Sequence, residues 1–130
     1  MAVRFTDPNY VEVFRESINA DPEFKLAARF LSEDVLLEVG DCKCIVKVRD
    51  GVITQLKVEN AFLDRWRFAI RAPVDSWEKF LQPVPPPHYD GLFGGMVRGN
   101  FRIEGDLPFA LAYFWAMTRM LDVMRLVQNQ

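Results

Sequence analysis

The chain has 130 residues, which suits one domain rather than two. Half of them are hydrophobic and seventeen are aromatic (11 Phe, 3 Trp, 3 Tyr), while only one His and two Cys occur, which excludes most His- or Cys-rich metal centres and a disulfide scaffold. Sixteen basic residues stand against 18 acidic ones, a net charge of −2, so there is no basic footprint for nucleic acid.

The first elements are helical. Asp7-Pro8 is a helix start, with Asp7 as N-cap and Pro8 in the first turn. Val11, Phe14 and Ile18 then form one apolar stripe. Asp21-Pro22-Glu23 repeats the signal, and Phe24, Ala27, Ala28 and Leu31 give a second stripe. The period then changes to two. Val35, Leu37 and Val39 share one face, and Cys42, Cys44, Val46 and Val48 alternate with Lys43, Ile45, Lys47 and Arg49. Asp50-Gly51 is a type I′ hairpin signal, and Val52, Thr54, Leu56 and Val58 follow with the same alternation. The expectation is three antiparallel strands with one apolar and one mostly polar face.

Trp66, Phe68 and Ile70 alternate with Arg65, Arg67 and Arg71 in a fourth strand, ended by Ala72-Pro73. Asp75 or Ser76 is the expected cap of a short helix carrying Trp77, Phe80 and Leu81. Residues 82–88 hold four prolines and read as an extended linker or lid. Residues 89–97 suit a short, glycine-loosened helix with Leu92, Phe93, Met96 and Val97. Phe101 and Ile103 mark a fifth strand, terminated by Gly105-Asp106. Pro108 starts a long final helix that runs to about Val127. The order makes a single α+β domain over residues 1–130, with helices packed on one face of a five-stranded sheet.

The motifs that carry chemistry are few. Cys42 and Cys44 point to one face of a strand, where core packing explains them. His88 has no nucleophile or carboxylate constellation around it. The spacing of Gly91, Gly94, Gly95 and Gly99 matches no phosphate loop. Arg65, Arg67 and Arg71 form a basic row that Asp64 and other acids could neutralise. No catalytic residue, cofactor or metal is therefore expected.

The final helix is the most informative element. Leu107 to Met117 is apolar in every direction around the axis, which predicts contact all round. That run is about half of the roughly 20 residues a bilayer span needs. Met117, Met120 and Met124 form one stripe of polarisable, adaptable side chains. Plain core packing, a ligand wall and an oligomer contact are all open readings of it.

The order of these elements resembles the sterol carrier protein 2-type lipid-binding domain. The residues that carry the resemblance are the leading helices, the meander with Asp50-Gly51, and the turn Ala72-Pro73-Val74-Asp75-Ser76-Trp77. With them goes Val97-Arg98-Gly99-Asn100-Phe101-Arg102-Ile103-Glu104-Gly105-Asp106, similar to the family's last strand and its Gly-Asp exit. The resemblance covers roughly residues 10–127. It implies an apolar tunnel between sheet and helices, binding of sterols, fatty acids, fatty acyl-CoA or isoprenoid lipids, and no catalytic residues. The proline run Pro83 to Pro87 and the lack of a peroxisomal C-terminal tail depart from it.

The function expected is non-enzymatic binding or carriage of an apolar ligand. The alternative is a dimerising or accessory module that recruits apolar substrate to a partner enzyme. The candidate lining residues are Phe93, Met96, Phe109, Tyr113, Met117, Met120 and Met124. The Tyr113 hydroxyl, and Arg65 or Arg67, are candidates for a head group. Expected partners are an apolar or lipid ligand and a second copy or partner enzyme, without nucleic acid or a membrane-integral segment. The N-terminus lacks the apolar run of an export signal, so a cytoplasmic location is expected.

Overall fold

Two Asp-Pro steps open the fold, and both act as the sequence implies. The structure, a computed structural model, describes residues 7–58 and 65–130. Helix α1 spans Pro8–Ala20, where the Asp7 carboxylate accepts the Asn9 amide. Helix α2 spans Pro22–Ala27, where Asp21 accepts the Phe24 amide. Each carboxylate satisfies a first-turn N–H that no helical carbonyl can reach. The expectations that fall on the N-terminal residues 1–6 and on Asp64 lie outside the described residues.

Strands β1 (Asp34–Val39), β2 (Cys42–Arg49) and β3 (Val52–Lys57) form the predicted antiparallel meander. At its hairpin, Asp50 and Gly51 have φ of 51° and 76°, the signs a type I′ turn requires. A Cβ on Gly51 would lie 2.7 Å from the Ala28 carbonyl oxygen, so close approach to α2 also demands glycine there.

Strand β4 (Phe68–Ala72) does not extend the meander. It pairs parallel with β1 on the far side, and β5 (Arg102–Gly105) pairs antiparallel with β4. The sheet order is β3-β2-β1-β4-β5. One face carries Val35, Leu37, Val46, Phe68 and Ile70 into the main core under the helices. The other face holds a small cluster of Leu36, Ile45 and Ala69, with Trp66 packed against it. This corrects the expected alternation of Trp66 with Phe68 and Ile70. Trp66 precedes the strand, so the pleat does not constrain it.

Helix α3 (Val74–Phe80) starts at Pro73, with no side-chain cap. The expected capping by Asp75 or Ser76 is therefore wrong. Pro73 is held extended, and its carbonyl already accepts the Trp77 amide at 3.2 Å. Helix α4 spans Leu92–Arg98. Phe101 lies just before β5 rather than in it and is almost fully buried.

The single final helix is also corrected. It breaks at Tyr113 into α5 (Leu107–Ala112) and α6 (Phe114–Gln128). Helix α5 packs on β4 and β5, whereas α6 packs on α1, α2 and α4. One straight axis does not meet both sets of neighbours, and Tyr113 (φ −110°, ψ 21°) takes up the change of direction. Contact all round does not hold either, because Leu107, Leu111 and Trp115 are largely exposed.

Polar ties hold α1 and α6 in place. The Asn19 amide side chain accepts from the Ile53 N–H and donates to the Ile53 carbonyl, at 2.8 and 3.0 Å. It thereby covers part of the edge strand β3. Arg119 of α6 donates from Nε and Nη2 to the two oxygens of Asp21 at 2.9 and 2.8 Å. These bonds hold the Asp21 carboxyl below its usual range. A depressed carboxylate stabilises the fold above its unfolded pKa, and that stability is lost as pH falls through the folded value. The Asp21→Asn variant loses the charge of this pair and part of the α2 cap. It is expected to cost about 2 kcal/mol at pH 7 and to unfold with a shallower acid limb. A thermal-melt series from pH 7 to pH 3 checks both, and an unchanged acid limb would contradict the assignment.

Candidate functional site

Two features lie around the fifth strand, an apolar helical wall and an open cleft. Helices α4 and α5 immediately precede and follow β5 in the chain, and α6 contacts both.

The wall contains most of the expected lining residues. Met117, Met120 and Met124 are fully buried and belong to the main core. Their i, i+3, i+7 spacing points them from α6 towards that core. Phe109 and Tyr113 are half-buried and pack against the same core, with ring centroids 5.1 Å apart. Phe109 also lies 6.3 Å from Phe68 of the sheet. Met96 of α4 packs against this core too. Phe93 stands apart, 71% exposed on the outer side of α4.

A cleft of about 670 Å³ lies at the end of the sheet, reached from solvent. Its floor is apolar, formed by Ala72, Pro73, Met96, Val97 and Phe101. Phe101 is wedged between Trp77 and Phe80, with ring centroids at 4.9 and 5.3 Å. A Cβ on Gly95 would sit 3.0 Å from the Phe101 ring, so glycine lets α4 lie on it. Trp77 Nε1 donates to the Glu38 carbonyl at 2.9 Å, which ties α3 to β1 beneath the same cleft.

The rim of the cleft is charged. Strand register places Lys43, Glu38, Arg71 and Arg102 side by side across β2, β1, β4 and β5. Arg71 Nη1 donates to Glu38 at 2.6 Å, and its Nε lies 2.5 Å from a Glu104 oxygen. Glu38 is also 3.6 Å from Lys43. Arg98, Asn100 and Asp41 complete the rim. Apart from Arg71, which belongs to the basic row, the sequence does not single out these rim residues. Their only signal is cross-strand pairing, and Glu38 and Arg71 are 33 positions apart.

The expected basic row is mostly neutralised. Arg67 pairs with Asp106 at 2.8 Å and Glu33 at 2.9 Å, and its guanidinium lies 4.3 Å from the centre of the Phe109 ring. Asp106 is held below its usual range, first by the Phe109 amide and then by Arg67. Arg65 is exposed. Neither cysteine is in a disulfide, and burial pushes the Cys44 thiol up to about 12.

The proline segment is fastened rather than loose at its ends. Arg125 donates to the Phe80 carbonyl at 2.7 Å and the Tyr89 carbonyl at 2.9 Å, and its guanidinium stacks 4.4 Å from the centre of the Phe80 ring. Asn129 donates to the Leu81 carbonyl at 2.7 Å. Among the described residues no group of three or more His, Cys, Asp or Glu is placed to hold a metal. No helix among them is long and apolar enough to cross a membrane.

No protein-family model matches the chain, and no curated protein matches it in sequence. In three dimensions it is similar to sterol carrier protein 2 in a crystal structure. The TM-score is 0.73 over 94% of this chain and 98% of that one, at 17% identity. It is similar also to a conserved hypothetical protein of Thermus thermophilus, described as possibly a sterol carrier protein. There the TM-score is 0.71 and the identity 16%, over 96% of this chain and 90% of the other. A third likeness is to UbiJ, a ubiquinone synthesis protein, with TM-score 0.57 and 14% identity over 89% of this chain and 92% of that one. The mixed five-stranded sheet and its covering helices are thus the fold of a sterol carrier protein 2-type domain.

Proposed function

We propose that the chain binds and carries an apolar ligand in the cytoplasm: a fatty acid, fatty acyl-CoA, sterol or isoprenoid lipid. The ligand lies between the sheet and helices α4 to α6, and the protein performs no chemistry on it. The observation that carries this reading is the Met117, Met120 and Met124 stripe, set within the layer that joins α6 to the sheet. Those side chains fill the interior beneath α6. Unbranched thioethers change rotamer at little cost, so they can retract to admit a chain. Each CH2 buried then contributes about 0.8 kcal/mol. Phe109 and Tyr113 flank the stripe, and Met96 connects it to the cleft.

Uptake of a fluorescent fatty acid tests the reading. The unmodified protein is expected to bind the probe in the micromolar range. The triple variant Met117→Leu/Met120→Leu/Met124→Leu conserves volume, and each change costs less than about 1.5 kcal/mol. Because the stiffer wall adapts less well, affinity is expected to fall about tenfold, or ~1.4 kcal/mol. Equal affinity in both proteins would remove the stripe from the site.

The exposed Leu107, Leu111 and Trp115 support a second reading, in which this ridge meets another copy of the chain or an enzyme that receives the ligand. A sedimentation mass of one chain at high concentration would exclude the self-association form of it.

A further inference from the structure

The cleft at the end of the sheet combines an apolar floor with a cationic rim. We infer that it holds the anionic head of an amphiphilic ligand, a carboxylate or a phosphate ester on a long apolar tail. Arg98 and Arg102 are the charge partners of that head. The inference rests on the carrier reading above and names its class of ligand.

The charge balance points this way. Three arginines line the cleft, Arg71, Arg98 and Arg102, against two carboxylates, Glu38 and Asp41. The cleft is thus a positive site on a chain of net charge −2. Arg71 and Glu38 are largely spent on each other, and Glu104 and Lys43 sit against them. Arg102 is different. Its side chain is 70% exposed, and it reaches Glu104 only at 3.7 Å. Arg98 closes α4 and is also exposed. The turn between them places both side chains on one cavity, with Asn100 held at φ 63°. A guanidinium offers paired N–H donors that match the two oxygens of a carboxylate or phosphate.

The floor supplies the other half of the amphiphile. Met96 and Phe101 line the cleft and also pack into the main core. Met117, Met120 and Met124 belong to the same core cluster, so a tail that displaces side chains behind Met96 and Phe101 would meet apolar surface. The cavity volume of about 670 Å³ lies within the roughly 300–1,000 Å³ usual for small-molecule sites. Charge selectivity at the rim and burial of the tail would then act on one molecule.

Displacement of an uncharged fluorescent apolar probe tests this. The competitors are dodecanoate, dodecyl phosphate, dodecanol and inorganic phosphate. The two charged amphiphiles are expected to displace the probe at about tenfold lower concentration than dodecanol. In the Arg98→Gln/Arg102→Gln variant, whose melting temperature checks its fold, that preference is expected to fall below about threefold. Inorganic phosphate is expected not to compete. The inference is overturned if dodecanol competes as well as the charged amphiphiles, or if the double variant keeps their advantage. It is also overturned if inorganic phosphate binds as tightly as dodecyl phosphate, since the cleft is then a free-anion site. Failure of all three amphiphiles to displace or bind would overturn the carrier reading itself, and this inference with it.

Discussion

Replacing Trp77 by alanine is expected to destabilise the protein by about 4 kcal/mol, the range of large buried aromatic deletions. For a domain of this length that is a fall of roughly 12 °C in Tm. Three losses combine. Trp77 is 1% exposed, so its whole side chain leaves a void. Its edge contacts with Phe80 and Phe101 vanish. The Glu38 carbonyl also loses the indole N–H that ties α3 to β1. Trp77→Phe separates these effects. It retains most of the volume and lacks the donor, so about 1–2 kcal/mol is expected. Urea unfolding of the two variants measures both. A Tm within about 3 °C of the parent for Trp77→Ala would mean that the floor of the cleft is not built on this residue.

The second large effect concerns Arg125. Its guanidinium bridges the carbonyls of Phe80 and Tyr89 across the proline segment while stacking on Phe80. The side chain is only 15% exposed, and burial lowers its pKa. A guanidinium nevertheless stays charged at every ordinary pH. Arg125→Ala orphans two carbonyls and removes the stacked cation, an expected loss of about 3 kcal/mol. Amide exchange in residues 82–90 is expected to accelerate more than in the sheet. Arg125→Lys keeps the charge, but a single ammonium does not reproduce the planar fork, so only part of the protection should return. Uniform acceleration across the whole chain would show that Arg125 supports global stability and not this segment.

Local chemistry made much of the fold legible in the sequence. Asp7-Pro8 and Asp21-Pro22 mark helix starts because proline presets the first turn and aspartate caps it. Asp50-Gly51 marks the hairpin because few other pairs accept positive φ twice. Gly105-Asp106 ends β5 as the sequence implied, and the structure adds that Asp106 caps α5. These signals act over a few residues and survive any tertiary context.

What was not legible depends on partners distant in the chain. The parallel return of β4 beside β1 leaves no mark in a pattern of alternation. The break at Tyr113 follows from where α5 and α6 find their neighbours, not from a breaker residue. Trp66 and Phe101 are strand-like in pattern, yet each leaves the pleat for a hydrophobic pocket of its own. The candidate site divides in the same way. The methionine stripe is periodic and can be read directly, while the Arg71–Glu38 pair and the arginines beside it appear only when strands meet in register. Phe93 illustrates the limit of composition, since an aromatic residue on a short helix can face outward as easily as inward.

Carriage of an apolar ligand is the central claim, and the ligand itself tests it most directly. Protein purified without detergent is extracted with organic solvent, and the extract is analysed by mass spectrometry beside an equal amount of the Met117→Leu/Met120→Leu/Met124→Leu variant. The account predicts a discrete lipid approaching one molecule per chain in the unmodified protein, depleted in the variant, with anionic amphiphiles enriched over neutral ones. Repeated preparations free of lipid, together with no uptake of added fatty acid, would contradict it.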